Sequence, residues 1–172
     1  VAGFEEVGLA PRGAGERVTR AAVRVDPAAV AREEKWTRHA VRALVNCLAR
    51  EAGPELAPWI HLGATSSDIT ETARSLQYRE SLDGFLLPQL VDLLSVWVEL
   101  AEREAATPQI GRTHGQHAVP ITFGFTMALY VERLGGRIEE LRWARDRLVG
   151  KLTGAVGAYN ALSLLVGDPQ DF

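Results

Sequence analysis

The run Leu86-Leu87-Pro88-Gln89-Leu90-Val91-Asp92-Leu93-Leu94-Ser95-Val96-Trp97-Val98-Glu99-Leu100 repeats its apolar residues at helical spacing. Leu86, Leu90, Leu93, Leu94, Trp97 and Leu100 trace one stripe, as expected of a helix that buries one face. Downstream, Phe123, Met127, Val131, Leu134, Ile138, Leu141 and Leu148 trace a second stripe of the same period. Two helices of this length predict a bundle. The rest of the chain offers no convincing strand pair, no internal repeat and no low-complexity linker. The expected fold class is all-α, with a small N-terminal helical domain over residues 1–78 and the first long helices of a helical bundle over 79–172.

Upstream, the span from Ala28 to Ala49 reads as one helix, with Val41, Leu44, Val45 and Leu48 in period. Asp26-Pro27 supplies a cap and a first-turn proline, and Gly53-Pro54 a stop. Trp59 to Gly63 form a connector. After it Asp68 is read as capping a new helix, with Glu71 reaching back, so that Thr65-Ser66-Ser67 is a loop at a helix N-terminus. Between the two long helices, Gly111-Arg112-Thr113-His114-Gly115-Gln116-His117, with Pro108 and Pro120 on either side, reads as a polar loop or cleft wall. The run from Gly150 to Gly157 lacks the Gly-Lys-Ser/Thr ending of a phosphate loop and reads as a turn.

Composition narrows the function. Of the 172 residues, 47% are hydrophobic and 24% charged, the balance of a globular protein. A net charge of −3 leaves no general basic field, which argues against nucleic acid as a partner. The single Cys47 sits in an apolar stretch and fits a reducing, cytoplasmic compartment. No uninterrupted apolar run approaches the ~20 residues of a membrane span, and no secretory signal pattern is present, so a soluble protein is expected. Neither Val1 nor the Gly167-Asp168-Pro169 stretch before Phe172 reads as a natural boundary.

Three polar stretches interrupt this helical text: Thr37-Arg38-His39, Thr65-Ser66-Ser67-Asp68 and Thr113-His114-Gly115-Gln116. Singly, each has a bland alternative: a surface or satisfied core histidine, a helix cap, a polar loop. Chemically, hydroxyls at a helix N-terminus suit carboxylate or phosphate oxygens, because unpaired N–H groups and the helix dipole favour anions there. Imidazole exchanges protons near neutral pH, which makes His39 and His114 candidate acids or proton holders. The four histidines, His39, His61, His114 and His117, lack a metal-binding spacing, so neither a metal nor another cofactor is expected.

Taken together, the strings His61-Leu62-Gly63-Ala64-Thr65-Ser66-Ser67-Asp68-Ile69, Gly111-Arg112-Thr113-His114-Gly115-Gln116 and Gly154-Ala155-Val156-Gly157 resemble, in order, the adenylosuccinate lyase family of the fumarase/aspartase superfamily. Thr-His followed by Gly-Gln is the discriminating detail. The resemblance runs from about Ala28 onward, more weakly from Val7. It implies a β-elimination that splits adenylosuccinate into AMP and fumarate, and likewise the succinyl-aminoimidazole-carboxamide ribotide of purine biosynthesis. By motif, His114 is then the general acid, His39 orients substrate or shares charge, Thr65 and Ser66 bind the succinyl carboxylate, and Thr113 and Gln116 position substrate. The resemblance also implies a homotetramer whose other subunits complete the bundle and share the active sites.

Two departures from the family pattern stand out. Ala40 occupies the place after the histidine where the family usually has Asp, and the family's catalytic serine loop lies downstream of Phe172. Two other functions are weighed: a sister lyase such as 3-carboxy-cis,cis-muconate cycloisomerase, whose members usually lose the histidine of Thr-His-Gly-Gln, so that His114 speaks against it, and a non-catalytic helical scaffold, which Ala40 favours.

Overall fold

The structure, a computed structural model, describes residues 1–166; the Gly167-Asp168-Pro169 stretch lies outside the described residues. In chain order the helices are α1 (Ala2–Glu6), α2 (Ala14–Val23), α3 (Pro27–Thr37), α4 (Ala40–Ala52), α5 (Ser66–Ser81), α6 (Leu87–Arg103), α7 (Phe123–Asp146) and α8 (Asn160–Val166). Two strands, β1 (Pro108–Thr113) and β2 (Gln116–Thr122), lie between α6 and α7. The all-α class holds, with one small hairpin added. The described residues form two compact units: Val1–Ala73 together with residues 150–166, and Arg74–Val149.

The first unit closes over Phe4, Ala10, Ala14, Leu56 and Leu162, all buried. The Phe4 and Trp59 rings tilt against each other at 5.9 Å. Burying a side chain such as Phe4 or Leu56 contributes about 1.5–3 kcal/mol. Glu5 holds α1 to the start of α2 by accepting the N–H groups of Gly13 and Gly15. Asp26 caps α3 as expected, accepting from Ala28 and Ala29.

The single helix expected from Ala28 to Ala49 is two helices. Arg38 closes α3 in the left-handed region, at φ 53°, and His39 is extended and caps α4. Apolar periodicity concealed the break because α4 keeps its own period after it. Glu33 ties the two helices together through Asn46 at 2.8 Å and Arg50. The next helix also begins earlier than expected. Its first residue is Ser66, so Asp68 occupies the third helical position and its carboxylate reaches back to the Thr65 N–H, as the acid of a capping box does.

In the second unit a π-helical turn, Leu82–Leu86, leads into α6. Pro88 accounts for it: a proline ring crowds the carbonyl four residues back and has no N–H to offer, and a widened turn relieves both. Helices α6 and α7 run antiparallel and bring their stripes together, with Trp97 and Tyr130 edge to face at 5.9 Å. Gly124 permits the approach, since a Cβ there would lie 2.4 Å from the Ala101 carbonyl oxygen. The stripes thus partly cover each other. Other apolar surface stays exposed, including Leu93 of the first stripe together with Val96, Phe125 and Leu129.

The expectation of no strand pair is corrected. β1 and β2 pair antiparallel, Pro108 opposite Thr122 and Thr113 opposite Gln116, with an irregularity between Ile110 and Arg112. Polar residues occupy both faces of this mostly exposed hairpin, so no inside-outside alternation marked it. The expectation that nothing is long and apolar enough for a membrane also needs correction. The helical stretch Ser66–Arg103 has a window of mean hydropathy 1.4, only 6% buried, and by length and composition could cross one. A bundle helix with an uncovered face has the same signature.

Candidate functional site

His39 and Ser66 meet in the first unit. As the cap of α4, His39 accepts the Arg42 N–H on Nδ1 at 3.2 Å. A neutral imidazole that accepts on one nitrogen carries its proton on the other, so Nε2 bears the N–H. Nε2 lies 3.5 Å from Ser66 Oγ, at the outer limit of a hydrogen bond. Ser66 opens α5, where helix geometry leaves the N–H groups of Ser66 and Ser67 without intrahelical acceptors. The resulting cluster of an imidazole N–H, a hydroxyl and two backbone N–H groups at the positive end of a helix is suited to carboxylate oxygens. Thr65 immediately precedes Ser66, with its own N–H already taken by Asp68 at 2.9 Å.

Behind this cluster is a residue whose role the sequence understated. The Asp68 side chain is fully buried and accepts from Thr65 and Gly154 on Oδ2, and from Thr153 and Lys151 on Oδ1. Burial by itself raises the Asp68 carboxyl, but the Lys151 ammonium and the three backbone N–H groups outweigh it and hold it below its ordinary value. Lys151 Nζ also donates to the Gly154 carbonyl at 2.9 Å. Thr72 adds a third tie, accepting the Lys151 N–H at 2.9 Å while donating to the Asp68 carbonyl at 2.7 Å. The run from Gly150 to Gly157 is therefore more than a turn: its start is fastened to the first turns of α5. Its lysine, set among small residues, was the available signal.

Thr113, His114 and Gln116 sit in the second unit at the hairpin tip, all exposed. His114 and Gly115 occupy the two central turn positions, at φ 53° and 72°. Positive φ at both positions is the pattern of the tight hairpin turn whose twist suits its strands, and it gives Gly115 its purpose. The turn projects His114 between the paired Thr113 and Gln116. Thr126 Oγ1 donates to Gln109 Oε1 at 2.7 Å and so ties β1 to α7.

His61 was passed over as a candidate. It has φ 66°, and its Nε2 is shielded from solvent with no hydrogen-bond partner among the described residues. The signal was its place at the head of the string that continues into Thr65 and Ser66.

Comparison with known proteins gives a consistent picture. Residues 17–166 match the family described as Lyase. An adenylosuccinate lyase of Methanocaldococcus jannaschii is 38% identical over 160 residues, covering 91% of this chain and 34% of that protein. Among solved structures, a fumarate lyase from Mesorhizobium sp. BNC1 superposes with a TM-score of 0.83 at 28% identity, over 96% of this chain and 39% of that one. A 3-carboxy-cis,cis-muconate lactonizing enzyme from Pseudomonas putida gives 0.80 at 32% identity, over 96% and 39%. The chain spans about a third of the length of the curated relative, 34%.

Proposed function

The chain belongs to the Lyase family, within the fumarase/aspartase superfamily, and on that premise we propose that it is the leading part of a cytoplasmic enzyme that cleaves adenylosuccinate to AMP and fumarate. The same enzyme would release fumarate from the succinyl-aminoimidazole-carboxamide ribotide of purine biosynthesis. The observation that carries this reading is the approach of His39 Nε2 to Ser66 Oγ at the open N-terminus of α5, a set of donors suited to a succinyl carboxylate.

In this mechanism Thr65 and Ser66 hold the carboxylate next to the carbon that loses its proton, and His39 adds its Nε2–H. Negative charge builds on that carboxylate as the proton leaves, so donors fixed beforehand stabilise the transition state more than the ground state. His114 protonates the departing nitrogen, with Thr113 and Gln116 positioning substrate around it. The first unit is then the N-terminal helical domain, and Arg74–Val149 open the central bundle of a homotetramer in which each active site draws on several subunits. The exposed apolar surface of α6 and α7 supports such assembly.

Ala40 favours a second function. It is exposed in the first turn of α4, next to His39, where it offers no carboxylate to a substrate. A sister lyase that eliminates from, or adds to, a different dicarboxylate fits that change. Supplying the full-length protein with adenylosuccinate and with 3-carboxy-cis,cis-muconate separates the two. Fumarate release from the first supports the proposal, and turnover of the second alone rejects it.

A further inference from the structure

We propose that Lys151 is a positioning residue for substrate binding, acting through Asp68: its ammonium cancels a carboxylate charge buried directly behind the anion-binding end of α5. This inference rests on the reading of Thr65 and Ser66 as carboxylate ligands. Asp68 lies two residues beyond Ser66, at the third position of the same helix, and its side chain is fully buried. An ionised carboxylate so close to an anion site repels the incoming anion, and burial limits the screening that water provides. The carboxylate form is nevertheless the one the structure holds, because both oxygens accept two donors each. An Asn in its place would turn an NH2 group toward donors at one oxygen or the other.

Lys151 resolves this conflict. It supplies the single full positive charge in the set, and its second hydrogen bond, to the Gly154 carbonyl, fixes the ammonium against Asp68. The Lys151 side chain remains 32% exposed, whereas that of Asp68 is wholly buried. Its three ties to Asp68 and Thr72 also keep the loop seated against α5. A residue with only a structural role would be replaceable by any side chain that keeps the loop in place. One that neutralises Asp68 must carry charge.

Fumarate, the dianion released by the proposed reaction, is a probe that does not depend on the nucleotide. Its affinity for the full-length protein is measured by calorimetry, beside KM and kcat for adenylosuccinate. Lys151→Gln keeps a hydrogen-bond donor and removes the charge; it should weaken fumarate binding and raise KM by about 10-fold, and lower kcat as well, because further negative charge builds on the bound carboxylate in the transition state. Lys151→Arg should stay within about 3-fold of wild type. Adding Asp68→Asn to Lys151→Gln removes the uncompensated charge and should recover at least half of the lost affinity on a logarithmic scale. Folding of every variant is checked by thermal melting, and if Lys151→Gln does not fold, the comparison of Lys151→Met alone with Asp68→Asn/Lys151→Met replaces it. Equal fumarate affinity in wild type and the folded charge-free variant overturns this inference and leaves the proposed function intact. A double variant that melts as the single one does and still binds fumarate no better also overturns it. Wild-type protein that binds fumarate but does not cleave adenylosuccinate rejects only the nucleotide assignment, and wild-type protein that binds no fumarate overturns both.

Discussion

Ser66 Oγ faces His39 Nε2 at 3.5 Å, while the other nitrogen of the same ring caps α4 by accepting the Arg42 N–H at 3.2 Å. The imidazole thus has a structural side and, in the proposed mechanism, a substrate-facing side, and substitution can separate them. His39→Asn keeps an acceptor for the helix and loses the Nε2–H. It should cut fumarate release by the full-length enzyme at least ~10-fold with little change in melting temperature. His39→Ala should add a loss of about 1 kcal/mol in stability, the usual effect of losing a cap. Equal activity of His39→Asn and wild type would remove the ring from the mechanism.

At the hairpin tip the same logic applies to His114. Its left-handed backbone is one that Asn tolerates and a β-branched residue does not. His114→Asn and His114→Ala should each lower kcat of the full-length protein by at least ~100-fold, the low end for a positioned acid, while His114→Asn leaves the melting temperature unchanged. His114→Val should in addition disturb the turn. Rates and melts of the three variants decide between acid and mere turn residue.

A purified protein ending at Phe172 should release no fumarate. Elimination needs a base as well as an acid, and the family resemblance places the base serine downstream. Fumarate production above a His114→Ala control in the same chain would reverse this prediction.

Acid sensitivity follows from carboxylates held below their ordinary values, of which Asp68 and Glu5 are fixed by backbone N–H groups. Asp68 is held below its ordinary value despite burial, by Lys151 and three backbone N–H groups, and Glu5 is lowered by the Gly15 and Gly13 N–H groups. A carboxyl with a depressed folded-state pKa contributes stability that is fully present above its unfolded value, about 3.9 for Asp and 4.3 for Glu, and is lost as pH falls through the folded value. Melting temperatures of wild type and Glu5→Gln should therefore differ most above about pH 5 and converge as the medium becomes more acid. For Asp68→Ala, which strands Lys151 and three donors, a loss of about 3–5 kcal/mol is expected near neutral pH, read from denaturant unfolding.

Assembly offers the last test. Leu134 is partly covered, on the stripe that meets α6, so a charge there would damage the subunit itself; Val96 is 58% exposed and reports on association alone. Val96→Glu in the full-length protein should dissociate the proposed tetramer and abolish turnover together, seen by light scattering and activity across a dilution series. A fully active monomer would end the shared-site proposal.

Periodicity alone determined the long helices α6 and α7, because a buried stripe needs apolar residues at fixed intervals whatever lies around it. The cap at Asp26 and the stop at Gly53 were equally local and equally legible. The strings around Thr65-Ser66 and Thr113-His114 resembled a lyase family only when taken together and in order, and the family match over residues 17–166 agrees with that resemblance. Tertiary structure alone decided the rest. The break at Arg38 left no mark on the apolar pattern, and the hairpin at Pro108–Thr122 has two polar faces, so neither changed a period that could be read. Asp68 looked like a cap because its other partners, Lys151, Thr153 and Gly154, come from more than eighty residues away. Lys151 stood out among small residues, but nothing in the sequence paired it with Asp68: the energy of such a pair depends on the burial and distance that folding creates.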